Sequence, residues 1–475
     1  MIIADDTPQS PVKSPNPTHP HPPSLSQDPP PSYGAAQTSQ TPLMQSNAGP
    51  SHPYTITSAP QGESPARRFF KAFAVALLIW VLFGVFVGTS INVRTSRHAV
   101  FQERESYDIP KDLHLDSCVN GPDMHSSSIF SPQTVSESFK LPLSSKNLFI
   151  ISRGASYGLG GPRTFSIVPS SDISEDVVRV DVKIMYLHED MLARTKVCRV
   201  RRRGGENGVG FFTLPLHPRN AEDWFYVDIV LNVPEVGYDP VKIQSFETDL
   251  PQFQHSNLGS LSDFVEFDKL SLSSSNAKID AKSLIASNAH VETSSGSITG
   301  TYDAVGDLSL KTSNGKIEVT VNLTSSSNKG VLAMKNSNGR IEADVNLLSG
   351  SGKAQDDHFT ASSITSNGEI ILNVLSLPYE SSLNLEAKTS NQDATVKVPQ
   401  TFEGHYTLST SNAAPALHRD ERSENDPAGE GRARQVVSKS RMKSWMQGNV
   451  YWEKEHENRS DVRVRSSNAR VTLWI

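Results

Sequence analysis

The segment TSNGKIEV, from Thr312 to Val319, sets a pattern that returns throughout the second half of the chain. Its variants are NSNGRIEADV from Asn336, TSNGEIILNV from Thr365, TSNQDATVKV from Thr389 and SSNARVTLWI from Ser466. In each variant a Ser-Asn turn precedes apolar residues at every second position. Alternation with a period of two predicts a β-strand with one buried face and one exposed face.

The turns recur at a dominant step of about 24 residues, which is the separation of Asn314 and Asn338. The same series includes Asn412, and a longer step of 56 residues separates it from the last turn. A fixed period indicates a repeat architecture. The residues predicted to form the turns are Asn276, Asn288, Asn314, Gly315, Asn338, Gly339, Asn367, Gly368, Asn391 and Asn468.

Two all-β folds compete for this pattern. Asn-Gly between alternating strands is typical of a hairpin turn, whose central residues need positive φ, and hairpins would give an antiparallel sandwich or meander. A β-solenoid corner also favours residues that tolerate positive φ. Recurrence of the same turn residues favours the solenoid, because stacked coils place asparagine above asparagine and apolar residues above one another.

The repeats belong to a longer β-rich region, predicted to span residues 136–475. Its first part, about 136–250, has β-branched and aromatic alternating runs but lacks the Asn turn, as expected for the atypical end of a repeat array. The segment at about 416–460 is dense in charges of both signs and poor in apolar residues. We expect it to be a mobile loop projecting from one coil.

The uncharged apolar run Ala72–Val93 predicts a membrane-spanning helix. Its 22 residues would extend about 33 Å as a helix, which matches a bilayer core of about 30 Å. The predicted signal-anchor covers residues 67–93. Three basic residues precede the run and two follow it, which favours a cytoplasmic N-terminus in the plasma membrane or the secretory pathway.

The tail at residues 1–66 is rich in Pro, Ser, Thr and Gln and contains half of the chain's 30 prolines. This composition predicts disorder with polyproline-II character. Residues 94–135 are expected to form a juxtamembrane linker. The only cysteines, Cys118 and Cys198, both follow the span, so a disulfide is possible if that side is oxidising. The net charge of −6 gives no indication of nucleic-acid binding.

The SNGKI, SNGRIEADV and SNGEI units, preceded by FYVDIVLNVP, resemble the putative-adhesin family of domains of unknown function, found in bacteria and fungi. The resemblance covers roughly residues 140–475. The apolar anchor behind a Pro-rich tail resembles the fungal, membrane-anchored members. The resemblance implies a surface-exposed β-solenoid without established catalytic residues.

No sequence motif indicates an enzyme. The chain lacks a P-loop, a G-x-S-x-G elbow, an H-E-x-x-H pair and paired C-x-x-C motifs. It also lacks the glycine-aspartate repeats of calcium-binding solenoids, so we expect no metal and no cofactor. Because some β-helices degrade polysaccharides, a carbohydrate-active enzyme remains an alternative that fold analogy alone does not support.

Two kinds of short motif suggest partners or modification. Pro30, Pro31 and Tyr33 form a P-P-x-Y match in the tail, and this motif fits the aromatic groove of a WW domain. Asn322 and Asn458 begin N-x-[ST] sequons on the predicted outer side.

The sequence therefore predicts a single-pass membrane protein that displays a non-catalytic, adhesin-like β-solenoid to an unknown surface ligand, carbohydrate or protein. The alternative is a membrane adaptor that recruits WW-domain proteins through its tail.

Overall fold

The computed structural model describes residues 106–128, 133–154, 161–214, 224–237, 239–258, 261–350, 354–419 and 425–475. All of them lie within one compact unit, Phe101–Ile475. Across these residues the chain is all-β, with 27 strands, one short α-helix, α1 (Glu189–Ala193), and a few 3₁₀ turns. None of the helices in these ranges is long and apolar enough to cross a membrane.

Most of the strands are short, and two longer ones lie near the middle of the domain. The strands are β1 (His114–Asn120), β2 (His125–Ser128), β3 (Gln133–Pro142), β4 (Asn147–Arg153), β5 (Arg163–Ser170), β6 (Val177–Tyr186), β7 (Thr195–Arg202), β8 (Glu206–Thr213), β9 (Phe225–Pro234), β10 (Val241–Asp249), β11 (Gln254–Leu258), β12 (Val265–Ser273), β13 (Ile279–Glu292), β14 (Ile298–Lys311), β15 (Ile317–Thr324), β16 (Lys329–Lys335), β17 (Ile341–Leu348), β18 (His358–Ile364), β19 (Ile370–Ser376), β20 (Ser382–Lys388), β21 (Ala394–Lys397), β22 (Gly404–Thr410), β23 (Ala416–His418), β24 (Gln435–Met442), β25 (Trp445–Tyr451), β26 (Ser460–Ser466) and β27 (Val471–Trp474).

The strands form two long ladders, joined because β13 and β14 pass from one to the other. Ladder A runs β1-β7-β8-β4-β10-β12-β13-β14-β16-β18-β20-β26-β22-β25-β24. Ladder B runs β2-β3-β6-β9-β5-β11-β13-β14-β15-β17-β19-β21-β27-β23. Every pairing from β8 to β22 in ladder A, and from β9 to β23 in ladder B, is parallel.

Each repeat contributes one strand to each ladder. The strand before an Asn turn lies in ladder A and the strand after it lies in ladder B, so β16 and β17, which flank Asn338, pair with other strands and not with each other. A hairpin at this turn would have made them antiparallel neighbours. Equivalent residues stack in register instead: Ile317 pairs with Ile341, and Ile341 with Ile370.

The alternating apolar residues face the space between the ladders, as the period of two predicts. Ile317, Ile341, Ile370 and Val471 are all fully buried. Each such side chain contributes about 1.5–3 kcal/mol through burial. The core is therefore a continuous column along the repeat.

The part of the chain expected to be a linker contains structure. Strands β1 and β2 lie inside residues 94–135, and β1 pairs antiparallel with β7 over most of its length. Cys118 and Cys198 face each other in this pairing, with a Cα–Cα distance of 4.1 Å, and form a disulfide. The linker prediction missed β1 because its residues HLDSCVN are largely exposed and do not alternate.

The last repeat lies out of sequence order. Strand β26 pairs in parallel with both β20 and β22, and β27 pairs with both β21 and β23. Residues 460–474, here called the inserted segment, therefore lie between two repeats that precede them in the chain. The step of 56 residues between Asn412 and Asn468 reflects this insertion.

The charged segment at about 416–460 differs from the expected mobile loop. It contains β23, β24 and β25, and the β24–β25 hairpin continues ladder A beyond β22. Its charges make local contacts: the Asp426 carboxylate accepts hydrogen bonds from the backbone N–H groups of Ala428, Glu430 and Arg432. Charge density indicated solvation, whereas these charges organise a turn that leads into the hairpin.

Candidate binding surface

The side chain of the first residue of the repeated turn donates a hydrogen bond to the backbone of the previous repeat. Thr312 is 2% exposed, and its hydroxyl donates to the Gly296 carbonyl at 3.0 Å. Thr389 repeats this contact with Gly368 at 2.9 Å, and the Asn336 amide makes the corresponding bond to Gly315 at 2.7 Å. This column satisfies carbonyl groups that would otherwise be buried without partners.

The asparagines form an exposed amide ladder along the same edge. Each Nδ2 donates to the Oδ1 of the neighbouring asparagine, over distances of 2.6–2.8 Å. The order of the ladder is Asn314, Asn338, Asn367, Asn391, Asn468 and Asn412. The predicted stacking of asparagines is therefore present, with the last two positions exchanged relative to the sequence.

The glycines of the turns allow neighbouring turns to stack closely, and they do not adopt positive φ. Among the described residues, positive φ occurs elsewhere, and neither the asparagines nor the glycines of these turns adopt it. A Cβ added at Gly315 would lie 1.8 Å from the Gly296 carbonyl oxygen. The corresponding distances are 2.0 Å from Gly339 to Gly315 and 1.8 Å from Gly368 to Gly339. At these three positions, only a residue without a side chain fits without moving the neighbouring turn.

One predicted turn residue is wrong. Asn288 lies within β13, where the strand passes from ladder B to ladder A and its register shifts. The turn at this level of the stack is formed by Ser294–Gly296 instead, where Ser295 Oγ lies 3.5 Å from Asn314 Nδ2. The repeats here are shorter, so the Ser-Asn-Ala pattern at residues 287–289 falls at a bend within a strand.

The position after each turn faces outward and varies in charge. On ladder B, Lys278 pairs with Asp280 at 3.1 Å, and Arg340 pairs with Glu342 at 3.1 Å. The side chains in these pairs are 36–44% exposed. Exposed pairs of this kind contribute little to stability, so this stretch is a solvated face.

A groove of about 620 Å³ lies at the far end of ladder B, and we call it the Trp474 groove. Its apolar part includes Leu375, 54% exposed, and Trp474, 39% exposed. The Trp474 ring stacks on His418, with centroids 4.3 Å apart. Lys397 and Gln400 supply polar groups in the lining. Its volume falls within the range of small-ligand sites.

The charged segment forms one wall of this groove. Asp426 and Pro427 line it, and Arg432 donates to Asp426 Oδ1 at 2.7 Å. The hydrogen bonds from Arg432 hold the pKa of the Asp426 carboxyl well below its usual range, so this carboxylate stays ionised. Arg432 also donates to the Tyr379 hydroxyl at 3.2 Å, which fixes that ring beside the groove.

Sequence reasoning did not find this groove. Leu375 faces outward because it follows the regular alternation of β19, in which Ile370, Leu372 and Val374 are buried. The register of β17 and β19 shifts next to it, between the pairs Val345–Val374 and Asn346–Ser376. The available signals were Leu375 and Trp474, two large apolar residues at outward positions of alternating strands.

The two sequons differ in accessibility. Asn322 lies within β15, where its Nδ2 donates to Asp303 Oδ1 at 2.5 Å and its Oδ1 accepts from Asn346 Nδ2 at 2.8 Å. Asn458 is exposed and lies between a 3₁₀ turn and β26.

We expect a glycan on Asn458 and none on Asn322 when the chain is made in a secretory pathway, because the Asn322 amide is already held between strands. Removal of N-glycans should therefore change the gel mobility of the wild-type protein and of Asn322→Gln, but not of Asn458→Gln. A mobility change that disappears only in Asn322→Gln would contradict this expectation.

The remaining predicted sites cannot be placed. Pro30, Pro31, Tyr33 and the apolar run 72–93 lie outside the described residues. Within the ranges that the structure describes, no group of three or more His, Cys, Asp or Glu side chains could hold a metal ion.

Comparison with known proteins finds a match for the C-terminal part of the chain. Residues 324–475, which include the Trp474 groove, match the profile of a domain of unknown function (DUF7330). No curated protein matches the sequence.

Two solved structures of bacterial proteins are similar to the chain. One is described as a putative cell adhesion protein from Clostridium sporogenes, at 8% identity and a TM-score of 0.17, covering 72% of this chain and 99% of that one. The other is described as a putative adhesin from Parabacteroides merdae, at 10% identity and a TM-score of 0.28, covering 56% of this chain and 89% of that one.

Proposed function

We propose that the chain is a single-pass membrane protein whose described domain is a β-solenoid displayed on the non-cytosolic side for binding. The observation that carries this proposal is the Cys118–Cys198 disulfide, which ties β1 to β7. Disulfides persist in oxidising compartments and are rare in the cytosol. Parallel ladders with stacked turns supply a rigid scaffold for such display.

Protease protection on intact cells or sealed vesicles tests the topology. We expect the domain to be cleaved from outside while the N-terminal tail is protected, and alkylation under non-reducing conditions to leave both cysteines unlabelled. Protection of the domain together with two labelled thiols would place it in the cytosol and contradict the proposal.

The Trp474 groove is the proposed ligand site, and the proposed ligand is a glycan. Sugar rings present apolar C–H patches beside hydroxyl groups. The groove offers the matching mixture: Trp474 and Leu375 for apolar contact, and Lys397 and Gln400 for hydrogen bonds. Polar groups placed within an apolar lining are typical of small-ligand sites.

Retention on immobilised neutral and acidic oligosaccharides tests the ligand and the site. We expect Leu375→Ala to weaken retention about tenfold, a loss of roughly 1.4 kcal/mol. Leu348→Ala is the matched control, since Leu348 is also an exposed leucine of ladder B but does not line the groove. Equal weakening in both variants would contradict the site, and no retention of the wild-type chain would contradict the ligand class.

The proposed domain binds without catalysing a reaction. A second groove on ladder B is lined by Lys278, Lys316, Glu318 and Glu342. A carbohydrate-active enzyme would need such a grouping of lysines and carboxylates. However, the hydrogen bond from Lys316 lowers the pKa of Glu318, whereas a general acid needs a raised pKa. If polysaccharide incubated with the wild-type chain were cleaved, and incubation with Glu318→Gln left it intact, the enzyme alternative would replace this proposal.

The adaptor alternative rests on Pro30, Pro31 and Tyr33. If it holds, Tyr33→Ala should abolish capture of WW domains by the full chain, because the tyrosine fills the second pocket of such a site. Unchanged capture would remove this alternative and leave the ligand-binding proposal unaffected.

A further inference from the structure

The inserted segment lies between two pairs of strands, which form the two walls of its site. One wall is the edge of β20 and β21, and the other is the edge of β22 and β23. Backbone bonds join it to both: Asn468 N–H donates to the Ser390 carbonyl at 2.9 Å, and Ser411 N–H donates to the Ser467 carbonyl at 3.1 Å. Among the described residues that follow β12, this is the strand pair that stacks out of sequence order.

The two walls are joined to each other by a connection that does not include the inserted segment. The six residues 398–403 connect β21 to β22 and already carry the chain across the width of the missing strand. Strands in a ladder lie about 4.8 Å apart, so the walls are about 9.6 Å apart, which six residues span easily. Without the inserted segment both walls would present unpaired backbone groups, which are templates for strand addition.

The inserted segment is complementary to this site in side chains as well as backbone. Val462, Val464, Val471 and Leu473 are all fully buried there. Asn468 completes the amide ladder on both sides, donating to Asn391 at 2.7 Å and accepting from Asn412 at 2.8 Å. A ligand for this site must therefore be a pair of β-strands joined by an Asn turn, with small apolar residues at alternate positions.

A second copy of this chain carries that ligand. We propose that two copies associate by exchange, each placing its residues 460–474 between β20–β21 and β22–β23 of the other. The connection from β25 is short, Trp452–Arg459, and exchange through a short connection preserves every contact of the inserted segment. Copies held in one membrane, or in facing membranes, could be joined in this way.

Cysteine pairs placed on separate full-length copies test the exchange. One copy carries Asn391→Cys and the other carries Asn468→Cys, and the two are incubated together at high concentration before mild oxidation. We expect a disulfide-linked pair of copies from this combination. Asn314→Cys mixed with Asn468→Cys is the matched control and should give none, because these ladder positions remain several strands apart in the exchanged pair.

Shortening the connection provides a second measurement. Deleting Lys454–His456 should make it harder for the segment to reach its own site and raise the linked fraction at least about fivefold. Absence of linked copies from the first combination, with the full connection and after prolonged incubation, would overturn the proposal. Equal linking in the control combination would show random contact and would also overturn it.

Discussion

Replacing Glu403 by alanine should lower the free energy of unfolding of the domain by about 3–5 kcal/mol. Glu403 is 2% exposed, and its Oε1 accepts from the backbone N–H groups of Trp452 at 2.7 Å and Glu453 at 3.2 Å. Its Oε2 lies 3.0 Å from His456 Nδ1 and 3.5 Å from Arg459 Nη1. Removing the carboxylate leaves two backbone donors, the His456 ring and the Arg459 guanidinium without this acceptor in a buried position.

Urea unfolding of residues 101–475 measures this effect, and Glu455→Ala is its matched control. Glu455 is an exposed glutamate in the 3₁₀ turn Lys454–His456, which belongs to the connection that Glu403 contacts. Its replacement should change the free energy of unfolding by less than about 0.5 kcal/mol. If the two variants were equally stable, Glu403 would not be the residue that fastens the connection between β25 and β26.

Replacing Gly339 by alanine should lower the free energy of unfolding of the domain by about 3 kcal/mol. The new Cβ would lie 2.0 Å from the Gly315 carbonyl oxygen and 2.6 Å from Asn336 Nδ2. The first contact is with backbone of the stacked turn, so it can be relieved only by moving the turns apart. That movement would also lengthen the bond from Asn336 to the Gly315 carbonyl, now 2.7 Å.

Ser337→Ala is the control for this prediction, since Ser337 is an exposed residue of the same turn. It should unfold at nearly the wild-type urea concentration, while the midpoint for Gly339→Ala falls clearly below it. A Gly339→Ala protein as stable as wild type would mean that the turns are not stacked as closely as described.

The repeated segment predicted much of the architecture because each of its residues has a separate physical role. In TSNGKIEV, Thr312 bonds to the turn below, Asn314 continues the amide ladder, Gly315 allows close approach, and Ile317 and Val319 fill the core. Most of these roles recur from one level of the stack to the next, and recurrence is visible in a single sequence.

The features that the sequence did not predict depend on relations between distant segments. The Ser-Asn-Ala pattern at Asn288 is locally like the turns, but β13 carries it through a bend. The order of Asn412 and Asn468 in the ladder is set by where the last repeat docks, which spacing alone cannot indicate. The Trp474 groove combines outward residues of two strands that are distant in the chain with a wall from the charged segment, and local alternation does not show that these lie together.

The order of the amide ladder is the central claim of this account, and intramolecular disulfide formation tests it directly. Asn391 and Asn468 are neighbours in the ladder, whereas Asn391 and Asn412 lie on either side of Asn468. At about 9.6 Å across two strand spacings, the second pair is too far apart for a disulfide. In dilute protein, Asn391→Cys with Asn468→Cys should therefore form an intramolecular disulfide, and Asn391→Cys with Asn412→Cys should not. A disulfide in the second pair and none in the first would show that the repeats stack in sequence order, which would contradict the inserted position of residues 460–474.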